Sequence, residues 1–505
     1  MWPFKAKDQN RDRLPPVMPS FARERPAHGF VGAKIDDLYA DLPSAVRGIN
    51  SDLRPALTVL RARARHLERN NDYAKAYLHA VRRNVVGPAG IGLQMKVIQE
   101  KPSKNGQPVA DAMANALIEQ GWDAWGRDCT VDGMTWQDAQ LLAVSSLKRD
   151  GEILVRKVQG FANRFRFAIE FIDPDRLDAN LNVPRNGTGI ERKNADTEIR
   201  MGVERDGFGR PRAYHILADH PGDDMGWTWM GQRYVRVPAG DLVHIYDRHW
   251  IDAARGVTGF RSTIARMAQL GGYEEAEVVA ARIAASKGGF YEEEISGELS
   301  GRKDAAGNIV RDIKPGEFER LPAGVKFKPF DPQHPTGAFD PFVKAQLRGA
   351  SAGLGVSYHE LSHDLGDANY SSLRQGALGD QDEWRLDQGT LVRGLCQPVF
   401  ETWLAMALLA GAINLPAAKF DKFNAAVWRP RGWSWVDPKA EMAANGEALD
   451  RKLTSHRRVC AERGIDFEEL LDEIAADKAL AESKGVDLNP PPKNPAPEAR
   501  QEPVT

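Results

Sequence analysis

The sequence predicts an α+β fold with a mixed front half and a mainly helical remainder. Helical and strand-like hydrophobic patterns alternate up to about residue 256, and long helical patterns return after it. With 505 residues, 42% of them hydrophobic and 27% charged, the chain can form two or three domains with large cores. A formal net charge of −2 argues against a strongly basic, nonspecific nucleic-acid binder.

The cysteines and the apolar runs indicate the compartment. Cys129, Cys396 and Cys460 are far apart and form no C-x-x-C, which favours a reducing environment over a disulfide or zinc framework. Residues 1–25 are basic and lack the apolar centre of a signal peptide. The longest uncharged apolar run, residues 403–413, is shorter than the ~20 residues of a spanning helix. We therefore expect a protein made in the cytoplasm, with no membrane partner.

The front half, residues 31–256, is predicted to follow a disordered basic arm at residues 1–30. Apolar residues at helical spacing predict helices over residues 51–86, 110–125 and 135–148. Alternating or β-branched runs predict strands over residues 91–97, 152–156, 165–172, 199–204, 212–217 and 242–246. Asp206-Gly207-Phe208-Gly209 is predicted to be the hairpin turn between the strands at 199–204 and 212–217.

The next segments predict two helices around a small β insert. A helix over residues 258–285, within a segment 257–290, precedes a β-rich insert at 291–337, with a strand at 325–328 and a hairpin tip at 305–308. A second helix, within 338–356, is predicted to begin with Asp340 as its N-cap and Pro341 in its first position. Its apolar face carries Val343, Leu347, Ala350 and Leu354, and its polar face carries Lys344, Arg348 and Ser351.

The remaining segments are predicted to be a loop followed by helices. A loop occupies residues 357–375, and residues 376–437 contain a long helix bent at Pro398. A helical tail covers 438–486, and the Pro-rich residues 487–505 are predicted to be disordered. Two helices that bracket a small β insert predict a stalk with a knob at its end.

One motif points to a zinc peptidase. His359-Glu360-Leu361-Ser362-His363 matches H-E-x-x-H, in which two imidazoles one helical turn apart bind Zn²⁺ and the glutamate acts as general base. However, the third ligand position holds Asn369, whose neutral amide is a poor zinc ligand, and the surroundings are rich in Gly, Ser and Asp. We therefore favour two exposed loop histidines and predict no catalytic residue, no metal and no cofactor; a zinc metallopeptidase that uses His359, Glu360 and His363 is the alternative function.

Short blocks spread over residues 52–485 resemble the lambda-like family of bacteriophage portal proteins through their order and spacing. The blocks are Arg69-Asn70-Asn71-Asp72-Tyr73, Asn84-Val85-Val86-Gly87 with Gly90-Ile91, Asp150-Gly151-Glu152, Ile172-Asp173-Pro174-Asp175-Arg176-Leu177, Gly209-Arg210-Pro211 with Ala213-Tyr214-His215, Val237-Pro238-Ala239 with His244-Ile245-Tyr246, Arg255-Gly256-Val257-Thr258-Gly259, Gly353-Leu354-Gly355-Val356-Ser357-Tyr358 and Asn369-Tyr370-Ser371-Ser372.

The resemblance assigns a portal-family role to each predicted segment. Residues 31–256 would be the wing, 257–290 and 338–356 the stem helices, and 291–337 the clip. Residues 357–375 would be the tunnel loop, 376–437 the long helix with a return to the wing, and 438–486 the crown. Gly271-Gly272 departs from the pattern, because two glycines are expected to interrupt the first stem helix.

The function that the resemblance implies is structural. The subunit would form a closed ring of twelve copies at one capsid vertex, through which a terminase packages double-stranded DNA that later leaves by the same channel. The large terminase subunit would dock at the clip, capsid and scaffold proteins at the wing, and head-completion or adaptor proteins elsewhere, while the ring nucleates capsid assembly. The protein would belong to the virion after assembly in the bacterial host cytoplasm. The chain has no G-x-x-x-x-G-K-[ST] motif of its own, which agrees with the separate packaging motor that the resemblance implies.

Six residues are predicted to touch DNA in the channel. Lys344 and Arg348 are on the second stem helix, and the others surround the tunnel loop: His359, His363, Asn369 and Arg374. Each basic side chain could instead pair with a neighbouring subunit or face solvent, and the histidines could be exposed with no DNA role.

Three other features each allow two interpretations. Trp122, Trp125 and Trp136 could stack on bases, but their helical spacing favours core packing. The pair Asp173 and Asp175 could be a functional carboxylate pair or a structural turn around Pro174. Arg457-Arg458 could contact packaged DNA, or pair with Glu468 and Glu469 on a helix face.

Overall fold

The computed structural model describes residues 43–101, 109–184, 197–223, 233–285, 337–366, 368–433, 438–463, 465 and 467–486, and four strands between 289 and 329. The predicted arms at 1–30 and 487–505 and the hairpin tip at 305–308 lie outside these residues. The helices are α1 (Ile49–Asn70), α2 (Asp72–Val81), α3 (Ala112–Gly126), α4 (Trp136–Asp150), α5 (Ile264–Ala285), α6 (Phe339–Leu354), α7 (Tyr358–Ser362), α8 (Tyr370–Leu391), α9 (Gln397–Leu409), α10 (Phe420–Phe423), α11 (Pro438–Asp450), α12 (His456–Glu462) and α13 (Phe467–Lys484).

The strands form small antiparallel sheets rather than one large one. They are β1 (Gly92–Met95), β2 (Glu152–Gln159), β3 (Phe167–Ile172), β4 (Glu198–Arg200), β5 (Val203–Arg205), β6 (Pro211–Leu217), β7 (Tyr234–Pro238), β8 (Leu242–Tyr246), β9 (Gly289–Glu293), β10 (Arg302–Lys303), β11 (Ile309–Val310), β12 (Val325–Pro329) and β13 (Ala426–Arg429). The central sheet has the order β3-β2-β8, and a second sheet has the order β4-β5-β6-β7. Strand β1 pairs with β13 from the far end of the chain, so the front domain is completed by a late segment.

The sequence predicts one continuous helix over residues 51–86, but the structure divides it into α1 and α2 at Asn71. Asn71 has an extended backbone between α1 and α2, and its side-chain oxygen accepts a hydrogen bond from the backbone N–H of Ala74. This is the N-cap geometry, which starts a new helix in a new direction. A π-helical turn, Arg82–Val86, then ends the helical region. The prediction of one helix over residues 51–86 is therefore wrong at Asn71.

The tryptophans lie in the main core. Trp122, Trp125 and Trp136 are each less than 8% exposed, and the ring of Trp122 lies 4.7 to 5.2 Å from those of Trp125, Trp136 and Trp403. Aromatic rings at such distances pack edge-to-face or tilted and bury large apolar areas. Their interpretation as core residues is confirmed, and bases cannot reach them.

The second sheet corrects one predicted strand and confirms the hairpin beside it. Residues 199–204 form no single strand, because Met201 and Gly202 both have positive φ and turn the chain between β4 and β5. The turn at 206–209 joins β5 and β6 as predicted, with the carboxylate of Asp206 accepting hydrogen bonds from the N–H groups of Phe208 and Arg210. Strands β7 and β13 were not predicted.

Helices α5 and α6 pack antiparallel to each other. The guanidinium of Arg266 donates to the side chain of Gln346 at 3.0 Å, and the ring of Tyr273 lies 4.9 Å from that of Phe342. Beyond this helix pair, β9 and β12 pair antiparallel from Gly289 with Pro329 to Glu293 with Val325. The chain therefore leaves the body along α5, forms a small β segment and returns along α6, as the sequence predicts.

Two details of this helix pair differ from the predictions. Helix α5 runs without a break through Gly271 and Gly272, so the expected interruption is wrong. Helix α6 begins at Phe339 with Ala338 as N-cap, and Asp340 lies inside the first turn rather than capping it. Pro341 is tolerated there because the first N–H groups of a helix have no intrahelical acceptor. The predicted apolar face is confirmed, since Leu347, Ala350 and Leu354 are buried.

The long helix after the loop is confirmed with an irregularity before Pro398. Between α8 and α9 the backbone forms a π-helical turn, Val392–Cys396, in which the N–H of Gln397 donates to the carbonyl of Val392. Proline has no N–H to continue the ladder of helical hydrogen bonds, so a local change of helical pitch beside Pro398 is expected.

The helical tail is confirmed as α11, α12 and α13. Cys129, Cys396 and Cys460 are all free thiols. Among the described helices, none has the length and apolar content needed to cross a bilayer.

Candidate channel segment and buried ion-pair cluster

The segment predicted as a loop, residues 357–375, contains more regular structure than expected. Ser357 N-caps α7 by accepting a hydrogen bond from the N–H of Glu360, and Asn369 N-caps α8 in a reciprocal capping box with Ser372. Such caps provide partners for N–H groups that would otherwise have none. The description of these residues as one open loop is therefore wrong, although a turn connects the two helices.

The H-E-x-x-H motif does not form a metal-binding face. Helix α7 ends at Ser362, and His363 follows it with a left-handed backbone (φ 55°). His359 and His363 are therefore not successive turns of one helix, which the zinc motif requires. The Nδ1 atom of His359 lies 2.8 Å from the carbonyl oxygen of Asp364, and Glu360 forms an ion pair with Arg83. The motif residues thus have structural partners, and the peptidase alternative loses its geometric basis.

The two basic residues of α6 differ in their surroundings. The ammonium of Lys344 lies 3.1 Å from the carboxylate of Asp340 and 3.7 Å from that of Asp364. A backbone bond from Gly366, a hydrogen bond from Tyr358 and the charge of Lys344 lower the pKa of Asp364, so the acid remains ionised beside the lysine. Arg348 is exposed, and its guanidinium lies 5.5 Å from the ring centre of Tyr358.

The structure brings only part of the predicted channel set together. Lys344, Arg348 and His359 surround Tyr358 and Asp364, whereas Asn369 serves as the cap of α8. Arg374 lies on α8, with its guanidinium 3.7 Å from the carboxylate of Glu441 in α11, and His363 is exposed at the end of α7.

A carboxylate that the sequence analysis missed fastens this segment to α8. Asp380 accepts hydrogen bonds from the backbone N–H of Ser357 at 2.7 Å and from its hydroxyl at 2.6 Å. Burial raises the pKa of Asp380, although both bonds from Ser357 oppose that rise. Because Ser357 also caps α7, Asp380 holds the junction between α6 and α7 against the long helix.

The most extensive polar structure is a buried ion-pair cluster around Glu152, the first residue of β2. Glu152 is fully buried, and its carboxylate accepts hydrogen bonds from Arg255 at 2.9 Å, from Arg61 at 2.7 Å and from the N–H of Gly256 at 3.1 Å. Arg61 and Arg255 are 3% and 1% exposed. A buried carboxylate is stable only when such donors replace water.

The cluster also fixes the protonation of its members. Burial alone would raise the pKa of Glu152, but the charge of Arg255 and the hydrogen bonds from His244 and Arg255 hold it well below its ordinary value. Burial lowers the pKa of His244 despite its hydrogen bond with Glu152. Because an ionised carboxylate only accepts, the Nε2 atom of His244, 3.0 Å from Glu152, must carry the proton of the neutral ring.

A second layer of carboxylates joins the cluster through Arg65. Its guanidinium donates to Asp150 at 2.7 Å, to Asp173 at 2.9 Å and to Asp175 at 3.0 Å. Asp173 also caps the 3-10 turn Pro174–Arg176 by accepting a bond from the N–H of Asp175. The structural interpretation of the two aspartates is therefore confirmed.

Asp173, Asp175 and His220 offer ligand atoms that lie within 4.8 Å of one another. Among the described residues, this group has the spacing needed to hold a metal ion. Arg65 already lies between the carboxylates, and Arg61 pairs with Asp175 as well. A divalent cation at this position would be repelled by both guanidinium groups. The donor set therefore fits ion pairs better than a metal.

Two glycines allow the backbone to close around the cluster. Gly151 has φ +88°, and a Cβ atom there would lie 2.2 Å from the carbonyl carbon of Val257. A Cβ atom at Gly256 would lie 2.0 Å from the carbonyl oxygen of Gly151. Both contacts involve backbone atoms, which cannot move away as a side-chain tip can. The segment leading to α5 is thus pressed against the junction of α4 and β2.

The cluster unites blocks that looked separate in the sequence. Asp150-Gly151-Glu152, the run from Ile172 to Leu177, His244 and Arg255-Gly256 carried the resemblance, and all of them contribute atoms to this site. The cluster joins α1, the start of β2, the end of β3, β8 and the entry to α5. A site built from buried salt bridges and closely packed backbone supports a structural role rather than catalysis.

Comparisons with known proteins agree with this class. The family profile described as phage portal protein, lambda family, matches residues 37–388. The chain is 32% identical over 426 residues to a probable portal protein of Halomonas phage phiHAP-1, covering 83% of this chain and 79% of that one. It is 22% identical over 496 residues to portal protein B of Escherichia phage lambda, covering 88% and 87%.

Among solved structures, the neck of a native gene transfer agent particle, computed with C12 symmetry, aligns with a TM-score of 0.40 and 13% identity over 80% of this chain and 93% of that one. The family profile and the two phage relatives define a structural portal component of a phage particle and not an enzyme. The chain belongs to the lambda family of phage portal proteins.

Proposed function

We propose that this portal protein forms a closed ring of twelve copies at one vertex of a capsid, with double-stranded DNA passing through its centre. A separate terminase packages the DNA, and the DNA leaves through the same channel at infection. The ring also nucleates capsid assembly. It is built in the cytoplasm of the bacterial host and remains in the virion.

The observation that carries this proposal is the antiparallel pair of α5 and α6, which leaves the α+β body and returns to it. The buried ion-pair cluster supports that body directly at the base of α5, because Arg255 and Gly256 belong to the cluster and α5 begins eight residues after Gly256. A helical stalk on a rigid base can present a small β segment to another protein while the base packs against neighbouring copies.

The domain assignment follows the same plan. Residues 31–256 form the wing, 257–290 and 338–356 the stem, 291–337 the clip, 357–375 the tunnel loop, 376–437 the long helix and return, and 438–486 the crown. The large terminase subunit docks at the clip, capsid and scaffold proteins at the wing, and head-completion or adaptor proteins on the remaining exposed surfaces.

Weak phosphate contacts suit a conduit better than tight ones. A duplex carries about one charge per 1.7 Å, so a strongly basic channel would hold DNA by counterion release. Lys344 is partly neutralised by Asp340 and Asp364, which supports a role in guiding DNA rather than gripping it. We assign Lys344 and Arg348 to the channel wall, together with the residues of the following segment: His359, His363, Asn369 and Arg374.

Replacing Lys344 and Arg348 together by alanine is expected to reduce the DNA packaged per particle by about threefold to tenfold, because phosphate contacts along the path are lost. The measurement is the DNA content of purified particles, normalised to the amount of portal protein. The control is the double variant Arg54→Ala/Arg63→Ala, which removes two exposed arginines of α1. Normal DNA content in the Lys344/Arg348 variant would refute this channel assignment, and a loss of rings would show a role in assembly instead.

A further inference from the structure

The described residues of the C-terminal helices, α11 to α13, form no buried core. None of the residues from 438 to 486 whose exposure the structure describes is buried. Leu453 is 74% exposed, Leu471 47% and Leu480 54%, and these apolar side chains face solvent in a single copy. Helices derive most of their stability from packing an apolar face, so this segment requires a surface from elsewhere.

The charges of the C-terminal helices are separated along the chain. Residues 451–463 carry five lysines and arginines against one glutamate, whereas α13 carries six acidic residues against two lysines. The two regions thus have formal charges of about +4 and −4. Within one copy, Arg457 of the basic region forms an ion pair with Glu468 of α13. This pair confirms the salt-bridge interpretation for Arg457.

Four other charges of the two regions have no such partner among the residues that the structure describes. Lys452 and Arg458 on the basic side, and Glu473 and Asp477 on the acidic side, are exposed and form no ion pair with any residue that the structure describes. At about 100° per residue, Asp477 points about 180° away from Glu468 around α13. The acidic pair therefore faces away from the α12 contact.

Each unpaired charge pair has an exposed leucine beside it. Leu480 follows Asp477 by three residues and Glu473 by seven, so the three side chains form one stripe along α13. Leu453 directly follows Lys452 in the turn before α12. The acidic side thus presents two like charges and Leu480 on one helix face, while Lys452 with Leu453 and Arg458 lie on either side of Ser455, the N-cap of α12.

We infer that in the assembled protein the basic surface of one copy (Lys452, Leu453, Arg458) docks on the acidic surface of the next copy (Glu473, Asp477, Leu480). The occupant is a second copy because the same chain supplies both complementary surfaces. Two unlike surfaces produce a head-to-tail contact, which closes into a ring when the rotation permits. Phosphates of DNA fit poorly as the partner of this basic surface, since the neighbouring α13 is strongly acidic and would repel them.

This inference rests on the proposed ring, and a charge exchange tests it. The double variants Lys452→Glu/Arg458→Glu and Glu473→Lys/Asp477→Lys should each raise the protein concentration for half-assembly by about tenfold, because attraction becomes repulsion. The quadruple variant restores opposite charges across the contact, so its half-assembly concentration should return to within about threefold of the wild-type value. Mass photometry of the full chain over a dilution series gives these concentrations.

The control variants are Lys439→Glu and Glu482→Lys, exposed charges of α11 and α13 outside both surfaces, and both should assemble as the wild type does. Rings that form normally in both double variants, or a quadruple variant no better than the doubles, would overturn this inference and leave the proposed ring intact. A wild-type chain that remains monomeric would overturn both.

Discussion

Replacing Glu152 by alanine is expected to lower the free energy of unfolding by about 3 to 5 kcal/mol, because Arg255 would remain buried without a carboxylate and Arg61 would keep only the carboxylate of Asp175. Arg255 would retain only its bonds to the backbone carbonyls of Leu177, Met201 and Pro174. Urea unfolding of the full chain, followed by the fluorescence of the buried tryptophans, measures this change. We also expect the Glu152→Ala variant to form fewer rings, because the cluster supports the base of α5.

The matched control is Glu204→Ala. Glu204 is also a strand residue paired with a histidine and an arginine, His215 and Arg236, but Arg236 is largely exposed. Exposed pairs contribute about 0 to 1 kcal/mol, so this variant should lose no more than that. Equal effects at Glu152 and Glu204 would contradict the importance assigned to the buried cluster.

The second large effect is expected from Gly256→Ala. The new Cβ atom would lie 2.0 Å from the carbonyl oxygen of Gly151 and 2.5 Å from the Cβ atom of Tyr246, so the backbone must shift. Overpacking against atoms that cannot rotate away should cost about 3 kcal/mol, the upper end of its usual range. The shift would also displace the N–H that Gly256 donates to Glu152. Urea unfolding of the full chain, followed by tryptophan fluorescence, measures this loss of stability.

Gly240→Ala serves as the control for this glycine. No atom lies within 4 Å of a Cβ placed at Gly240, and its φ is not positive, so the substitution should change stability by less than about 0.5 kcal/mol. A Gly256 variant as stable as the Gly240 variant would show that the segment before α5 is free to move, contrary to the close packing described above.

Local patterns predicted much of the secondary structure. The helix over residues 135–148 and the turn at 206–209 were predicted from signals with direct physical causes, and the structure contains both. The break at Asn71 had a signal too, since asparagine is a favoured N-cap, but the apolar periodicity that continues through it concealed it. Strands β7 and β13 depend on distant partners, and such pairing is not visible locally.

The ion-pair cluster shows what the sequence could and could not reveal. Arg61 lies on the same helix face as Leu57 and Ala64, so a charged residue on an apolar stripe was a usable sign of a buried arginine. Its partner Glu152 lies 91 positions away, and Arg255 lies a further 103 positions along the chain. No periodicity connects such positions, and only the fold brings them together.

The H-E-x-x-H motif illustrates the opposite case, a pattern without its structure. Its spacing has meaning only on a continuous helix, and the helix ends before His363. The three ordinary contacts of His359, Glu360 and Ser362 with Asp364, Arg83 and Tyr358 explain the local geometry without a ligand.

Electron microscopy of the purified chain decides whether it forms a ring. We expect closed rings of identical subunits, with a central opening wide enough for a DNA duplex and the helix pair α5–α6 projecting from each copy. Monomers, or dimers related by a two-fold axis, at concentrations where virion components assemble would contradict the proposed ring.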